Sequence, residues 1–372
     1  MKIYGKDLGD IYKDLPWAYK VVVVVGAVFL AFVAVYVPVQ ILKPAATAPL
    51  LPEPIDLAAS NPAVIGTLDP SLAHDPASNR VILAYASQEK SRDKTFLHVR
   101  LAASAAGACE NWTSLPGGFE AKADDILAPD GQTVFRSGAW RVETPSIVHD
   151  PGDKGREWKM FAYKYFWPDD PRQALQVAQH YGMIVYKYAS NPMKEWSTEQ
   201  WLFSPRPDYP PAPYEQIIML HLNRLDPSLQ DIVTYARPSA LAKDGALVVA
   251  LSAFTGASTP DRIVMIVSRD HGQSWVYAGT PLRSGDLAGL GPYTRLGGAA
   301  LIEQEGQTYL AVTPGDSAKT GQGALIFAFE NLFAGQLKRD PKTLLPVVIN
   351  RLKPNVASAG TVGGGFSAYT DK

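Results

Sequence analysis

The segment Asp69-Pro-Ser-Leu-Ala-His-Asp75 returns later in the chain as Thr144-Pro-Ser-Ile-Val-His-Asp150. A third copy begins at Arg237 and continues Pro-Ser-Ala-Leu-Ala-Lys-Asp244, and a weaker fourth runs from Gly297 to Gly306. Asp, Gly and Pro residues, which favour turns, follow each copy. The copies therefore indicate one structural unit that is used four times.

Each copy is followed by two more β-like runs. The second runs are Val81-Ile-Leu-Ala-Tyr-Ala, Trp158-Lys-Met-Phe-Ala-Tyr, Leu247-Val-Val-Ala-Leu-Ser and Thr308-Tyr-Leu-Ala-Val-Thr. The third runs begin at Val99, Ile184, Ile263 and Ala324, and the first three end in Ser before a loop and a Trp. No segment after Leu42 has a long helical period. The unit recurs every 60 to 95 residues, and repeated small antiparallel sheets are typical of a β-propeller.

The predicted fold is thus all-β, a propeller over residues 63–372. Four full copies are visible, and the tail Val356–Tyr369 together with Ile55–Thr67 is expected to form a fifth blade. Closing the ring in this way would remove exposed sheet edges. Five blades are favoured, with four or six as alternatives. A protein of two β-sandwich domains is the competing architecture.

An uncharged apolar stretch precedes the repeats, from Val21 to Leu42. As a helix it is roughly 33 Å long, enough to cross a ~30 Å hydrocarbon core. Four lysines precede it and one follows before Arg80, which predicts a cytoplasmic segment 1–20 and a propeller in the periplasm or outside the cell. Residues 43–62 are then a Pro/Ala-rich tether. A cleaved signal peptide is the alternative, although the apolar stretch is long for one.

Composition excludes several classes of function. Of the 372 residues, 35 are basic and 36 acidic, for a net charge of −1, so no basic excess supports nucleic-acid binding. The single cysteine, Cys109, excludes an intrachain disulfide and a Cys-rich zinc site. His74 and His149 occupy the same repeat position, which favours a structural role over a metal site. We expect no metal and no cofactor.

The segment Ser268-Arg-Asp-His-Gly-Gln-Ser-Trp275 resembles the Asp-box repeat of sialidases and related propellers. The resemblance implies a turn capped by Ser and Asp between outer strands, with the Trp packed between blades. Other parts of the chain are similar to the five-bladed arabinanase and fructosidase class of glycoside hydrolases, above all Thr144–Asp150 followed by Trp158–Tyr163 and Ala189–Trp196. This pattern-level resemblance covers roughly residues 63 to 335.

In such propellers the innermost strands line a central funnel, and ligands bind at one mouth of it. The residues just before each Pro-Ser pair are expected near that mouth. Asp69 matches the general base of the arabinanase-like class, and Glu143 holds the position of its second-blade Asp. Arg237 stands where the class usually has its Glu acid, which is a departure. Glycoside hydrolysis needs two carboxylates, so the candidate catalytic pair is Asp69 and Glu143, with a loop residue such as Glu215 as the alternative proton donor.

Three arginines, Arg141, Arg237 and Arg295, are expected at similar places in successive copies. Together they would suit an anionic ligand, because guanidinium pairs bidentately with carboxylate, sulfate and phosphate. Tyr235 and Tyr293, each two residues before an arginine, are further candidates for ligand contact. The structural alternative is that the arginines pair with the two carboxylates and that Asp69 only caps a turn.

The sequence thus favours a membrane-anchored, glycosidase-like propeller acting on a cell-envelope or extracellular glycan, including acidic ones. The competing function is a non-catalytic propeller that binds a glycan or supports a membrane-associated assembly. Expected partners are a glycan or another small anionic ligand, and a lipid bilayer around residues 21–42. Nucleic acid is not expected, and a protein partner is left open.

Overall fold

Most of the backbone that the structure describes after residue 62 lies in β-strands. The computed structural model describes residues 63–352, except 92–93, 108–110, 129, 131, 171, 173, 206–216, 257 and 316–322, together with residues 2–3 and 6–7. The chain divides into two units, Met1–Ile55 and Asp56–Lys372. In the first unit, β1 (Lys2–Ile3) pairs antiparallel with β2 (Lys6–Asp7).

The second unit begins with two large sheets. Blade 1 has the strand order β3-β4-β5-β6: β3 (Val64–Asp75), β4 (Arg80–Ser91), β5 (Lys94–Ala103) and β6 (Thr113–Phe119). Blade 2 has the order β7-β8-β9-β10-β11-β12: β7 (Lys122–Leu127), β8 (Val134–His149), β9 (Trp158–Pro168), β10 (Met183–Ala189), β11 (Gln200–Ser204) and β12 (Leu220–His221). A short helix, α1 (Ala174–His180), connects β9 to β10.

Two further sheets complete the described part. Blade 3 consists of β13 (Thr234–Lys243), β14 (Ala246–Phe254), β15 (Arg262–Ser268) and β16 (Val276–Arg283). Blade 4 consists of β17 (Arg295–Gln304), β18 (Gln307–Gly315), β19 (Ala324–Asn331) and β20 (Gln336–Leu337), with β21 (Val348–Leu352) also pairing with β19. Helix α2 (Ser284–Ala288) connects blades 3 and 4, and short 3-10 helices occupy Leu222–Arg224, Pro227–Leu229 and Leu332–Ala334.

The four blades lie side by side around a centre formed by their first long strands. Strand β3 packs on β8, β8 on β13, and β13 on β17. Separate apolar layers fill the space between blades 1 and 2, between blades 2 and 3, and between blades 3 and 4. This arrangement confirms the all-β propeller. The repeated second runs of the sequence lie in β4, β9, β14 and β18, and the third runs lie in β5, β10, β15 and β19.

Three serine hydroxyls join the inner strands to one another. The Oγ atom of Ser71 accepts a hydrogen bond from the backbone N–H of Ile147 at 3.0 Å. Ser146 accepts in the same way from Ala240 at 2.8 Å, and Ser239 from Leu301 at 2.9 Å. These are the serines of the repeated Pro-Ser pairs. The repeat therefore encodes a hydrogen bond from each of the first three blades to the next one.

The turn from Ser268 to Trp275 connects β15 to β16 through its own side chains. Asp270 accepts hydrogen bonds from the backbone N–H of Gln273 and Ser274 and from the Ser274 hydroxyl. These bonds, that of the Ser274 hydroxyl above all, lower the pKa of Asp270 to about 2. Trp275 packs edge-on against Phe203 of blade 2, with ring centroids 5.1 Å apart. The turn thus contributes to the contact between blades 2 and 3.

An ionic cluster reinforces that contact. The ammonium group of Lys159 is fully buried and lies 3.0 Å from Asp150 and 2.8 Å from Asp153. His271, from the turn in blade 3, places Nδ1 2.9 Å from the Asp150 carboxylate. Buried charges are tolerated when they are paired in this way.

Parts of the predicted architecture fall outside the described residues. These are the apolar stretch 21–42, the tether 43–62 and the tail 356–369. Among the residues that the structure does describe, no helix is long and apolar enough to cross a membrane. The assignment of residues 64–67 to a fifth blade is wrong, because they begin β3 and pair with β4 in blade 1. The described sheets make four blades, and the fifth stays a prediction.

Candidate functional site

Each inner strand contains the same β-bulge, in which two residues face one residue of the neighbouring strand. The pairs are Asp69-Pro70, Thr144-Pro145, Arg237-Pro238 and Gly297-Gly298. Proline suits a bulge because it has no N–H to offer the ladder. Asp69, Thr144 and Arg237 have φ values of 52°, 50° and 52°, which is left-handed backbone that a β-branched residue such as Thr144 rarely adopts.

The four bulges surround a small cavity at the centre of the ring. Its volume is about 30 Å³, which is room for one water molecule and not for a sugar. Asp69 lies in its wall and is only 5% exposed. The Thr144 hydroxyl is also buried there and has no hydrogen-bond partner among the described residues. A ligand larger than water does not fit in this cavity.

Glu143 is the residue directly before the bulge of β8. It pairs across the ladder with Tyr163 of β9, and the Tyr165 hydroxyl donates a hydrogen bond to its Oε2 at 3.1 Å. Burial raises the pKa of Glu143, against the opposing effects of Arg237, of the Tyr165 hydrogen bond and of Arg141. A carboxyl whose pKa is raised by burial is suited to hold and deliver a proton.

Two guanidinium groups lie close enough to act on Glu143. Arg141 donates from Nη2 to the carbonyl oxygen of Thr95 in blade 1 at 3.0 Å, and its Cζ is 4.7 Å from the centre of the Trp167 ring. Its Nε is buried without a partner among the described residues. The Arg237 guanidinium is half-buried and forms no hydrogen bond or ion pair with any residue that the structure describes. We call Arg141, Glu143, Tyr165, Trp167 and Arg237 the Glu143 site.

The structure does not bring Arg295 into this group by repeat symmetry. Counted from the first residue of each bulge, Arg141 lies three residues before it, Arg237 is that residue, and Arg295 lies two residues before it. Since a change of one residue reverses the face of a strand, the expectation of equivalent positions is wrong. On β17 the central cavity is lined by Gly298 and Ala299 instead.

The two candidate tyrosines also lie apart from Glu143. Tyr235 is 1% exposed in the apolar layer between blades 2 and 3, and its hydroxyl donates to Asn223 at 2.8 Å. Burial raises the pKa of Tyr235. A side chain so enclosed contacts no ligand, so its prediction as a ligand residue is wrong. Tyr293 packs beside the layer between blades 3 and 4, where Arg351 donates to its hydroxyl at 3.4 Å.

The sequence analysis missed the role of Tyr165. It belongs to a run of alternate aromatic residues on β9, namely Tyr163, Tyr165 and Trp167. The rings of Tyr163 and Tyr165 are stacked with centroids 5.0 Å apart, and Trp167 meets Tyr165 edge-on at 6.2 Å. The signal was present as a period-2 aromatic pattern in the strand that follows Glu143. Burial raises the pKa of Tyr165, so this hydroxyl remains a donor.

The comparisons with known proteins find structural likenesses at low sequence identity. No family model matches the sequence, and no curated protein matches it. Among solved structures, an arabinanase of Bacillus subtilis is 10% identical, with a TM-score of 0.41 over 73% of this chain and 76% of the other. A family 32 glycoside hydrolase of Bifidobacterium adolescentis is 10% identical, with a TM-score of 0.46 over 78% of this chain and 47% of the other.

A β-fructofuranosidase of Bombyx mori is 11% identical, with a TM-score of 0.43 over 74% of this chain and 48% of the other. These structural neighbours are arabinanase-like and fructosidase-like glycoside hydrolases. The chain spans about half the length of the last two proteins. At these identities and TM-scores the comparisons carry no argument about the reaction, and the residues of the Glu143 site must do so.

Among the described residues, no group of three or more His, Cys, Asp or Glu side chains is arranged to hold a metal ion.

Proposed function

We propose that this protein is a glycoside hydrolase-like propeller that binds a glycan at the Glu143 site and cleaves it. The observation that carries the proposal is the state of Glu143. Its pKa is raised by burial, it receives a hydrogen bond from Tyr165, and no direct ion pair joins it to Arg141 or Arg237 among the described residues. A carboxyl that is partly desolvated beside two guanidiniums, with neither of which it forms an ion pair, is costly for stability, and a binding role explains its presence.

In the proposed reaction Glu143 is the general acid. It donates its proton to the glycosidic oxygen as the bond from that oxygen to the anomeric carbon breaks. Asp69 is the general base, accepting a proton from the water whose oxygen bonds to the anomeric carbon. The cavity beside Asp69 has room for one such water. Tyr165 acts as a positioning residue, because its hydroxyl fixes one oxygen of Glu143.

The two arginines favour a glycan that bears a carboxylate. Arg237 has no partner among the described residues, and the Nε of Arg141 is unpartnered as well. A sugar carboxylate would supply the acceptor oxygens that both groups lack, with the geometry that guanidinium prefers. Trp167, half-buried under Arg141, offers an aromatic surface next to it. The substrate class is therefore an acidic oligosaccharide.

A second function, glycan binding or scaffolding without catalysis, is favoured by a different observation. Arg237 stands where the arabinanase-like class has its acid, and Asp69 is almost completely enclosed in the wall of a very small cavity. Both facts weaken the case for a working pair of carboxylates. In this alternative the Glu143 site keeps its ligand and cleaves nothing.

The proposed location follows from the sequence alone. A signal anchor at residues 21–42 would place the propeller outside the cytoplasm, with lysines holding the N-terminus inside. A cell-envelope or extracellular glycan is then the accessible substrate. Protease treatment of intact cells should digest the propeller and spare residues 1–20 if this orientation is correct.

Incubating the full-length protein with an oligosaccharide panel tests the proposed function. The panel pairs uronic-acid oligosaccharides with neutral ones, including arabinobiose and galactotriose, which are ligands of structures similar in fold. We expect cleavage of an acidic member, reduced about 10³-fold or more in Glu143→Gln, in line with loss of an acid catalyst. Glu305→Gln, an exposed position in blade 4, is the matched control.

The outcomes separate the two functions. Cleavage that persists in Glu143→Gln contradicts the assigned acid. Saturable binding of an acidic member without cleavage, weakened in Arg237→Gln, supports the non-catalytic alternative instead. If no panel member is cut or bound, the proposed glycan site is wrong.

A further inference from the structure

A second cleft lies at the end of the propeller opposite the Glu143 site. Strand β8 reaches both the Glu143 site and this cleft: Glu143 lies just before the bulge, and His149 is the last residue of the strand. At about 3.3 Å per residue, the two residues are roughly 20 Å apart along the strand. The cleft has a volume of about 260 Å³. It is formed by the β3–β4 turn of blade 1 and by the β8–β9 and β10–β11 turns of blade 2.

Glu157 offers an acceptor inside this cleft. Its Oε2 is buried and has no hydrogen-bond partner among the described residues. Hydrogen bonds from the backbone N–H groups of Glu157 itself and of Gly155 lower the pKa of Glu157, so the carboxylate is charged at neutral pH. The neighbouring Asp75 is different, because its oxygens already accept from the N–H of Ala77 at 3.2 Å and the hydroxyl of Ser78 at 2.5 Å. An ionised oxygen without a donor points to a ligand that donates.

Donors and a flat ring complete the lining. The His149 ring lies on Trp158 with centroids 4.9 Å apart and planes 33° apart. Burial lowers the pKa of His149, so the ring is neutral at pH 7, with one nitrogen donating and one accepting. Neither nitrogen is bonded to a described residue. Asn191 accepts from the Met193 N–H at 2.9 Å through Oδ1, which leaves its amide nitrogen to donate.

We infer that this cleft binds one neutral sugar unit, as a site separate from the Glu143 site. Sugar hydroxyls both donate and accept, which matches the unpartnered Glu157 oxygen, the neutral imidazole of His149 and the Asn191 amide. An anionic ligand is disfavoured by the charges of Glu157 and Asp75, and Lys154 at the rim offsets part of the attraction that these carboxylates have for a cation. The volume is below the roughly 300–1,000 Å³ of sites for drug-sized ligands, which limits the occupant to a single ring.

The inference does not depend on catalysis at Glu143. A propeller with a sugar site at each end would hold one glycan chain at the cleft while another part of the chain reaches the Glu143 site. It would equally serve a non-catalytic propeller that attaches to glycan. The two proposals can therefore fail separately.

Nuclear magnetic resonance of the histidine rings tests the inference. The full-length protein, with its six histidines labelled, is titrated with L-arabinose, D-galactose, D-glucose or N-acetylglucosamine, and His149→Gln assigns the signal. At least one sugar should shift the His149 resonance saturably, with a Kd in the millimolar range. Glu143→Gln should leave that Kd unchanged. Glu157→Gln and Asn191→Ala should each weaken binding about tenfold.

The matched control is Glu305→Gln, which removes an exposed carboxylate from the corresponding turn of blade 4 and should keep the wild-type Kd. Absence of a saturable shift with every sugar overturns the inference. A shift that ammonium or magnesium chloride reproduces overturns the assigned ligand class. Binding that survives both Glu157→Gln and Asn191→Ala overturns the assigned site.

Discussion

Replacing Ser146 with alanine removes the hydroxyl that accepts the backbone N–H of Ala240 and joins blade 2 to blade 3. The change deletes one oxygen and leaves the backbone of both strands in place. Two equivalent changes exist in the same ring. Ser71→Ala removes the bond to Ile147, and Ser239→Ala removes the bond to Leu301.

The size of each effect follows from the burial of the group that loses its acceptor. A buried N–H left without a partner costs about 1–3 kcal/mol, and water can replace the acceptor where it reaches the site. Ser71 and Ile147 are 7% and 3% exposed, so Ser71→Ala belongs at the upper end. Ser146 is buried while Ala240 is half-buried, and both Ser239 and Leu301 are half-buried. The expected order of destabilisation is Ser71, then Ser146, then Ser239.

Thermal unfolding followed by circular dichroism measures this order. At about 2–4 °C per kcal/mol for a domain of this size, Ser71→Ala should lower the Tm by about 4–10 °C and Ser239→Ala by about 2–4 °C. Ser190→Ala, an exposed serine in blade 2, should change the Tm by less than about 1 °C. The reasoning is refuted if the three variants match Ser190→Ala, or if Ser239→Ala is the most damaging.

Three more changes test the electrostatics of the fold by thermal unfolding. Lys159→Met leaves Asp150 and Asp153 without their buried cation and should destabilise the protein by about 3–5 kcal/mol; a change under 1 kcal/mol contradicts the pairing. Asp270→Asn should cost about 1 kcal/mol at neutral pH. Because the pKa of Asp270 in the folded protein is lowered to about 2, the destabilisation by Asp270→Asn should vanish as the pH falls from about 4 to 2. A destabilisation that does not depend on pH would contradict the lowered pKa. For Glu143 the direction reverses, because burial raises its pKa. The wild-type protein is then most stable below the ordinary glutamate pKa and loses stability as the pH rises, so the Tm of Glu143→Gln should rise relative to wild type from pH 4 to 7. A Tm difference that does not change with pH would count against burial as the cause.

The repeated Pro-Ser pair was enough to predict the propeller, and the structure gives the physical reason. Proline fits the bulge that every inner strand needs, and serine supplies the acceptor for the next blade. The apolar runs that follow each pair then predicted the next two strands of each blade. The bulge itself was not predicted from the repeat. Arg141, Arg237 and Arg295 were expected at similar places, and their distances from the bulge along the strand differ.

The candidate site was predicted in part for the same reason. Glu143 and Arg141 share a face because they are two residues apart on one strand, which the sequence states directly. Their contacts with Tyr165, Trp167 and Arg237 depend on how β8 pairs with β9 and packs on β13. Tyr235 is the reverse case, a ligand contact that was predicted and is not made. The prediction rested on its place two residues before an arginine. Its hydroxyl is instead used by Asn223 inside the core.

The central claim is that burial raises the pKa of Glu143 above its ordinary value although two guanidiniums lie nearby. Carbon-13 nuclear magnetic resonance of the labelled glutamate carboxyls, with Glu143 assigned through Glu143→Gln, measures this directly. The account predicts a titration midpoint above the ordinary value of 4.5, and a still higher midpoint in Arg237→Gln because Arg237 opposes the shift. A midpoint at or below 4.5 would mean an ionised carboxylate paired with the arginines, a structural ion pair and not a general acid.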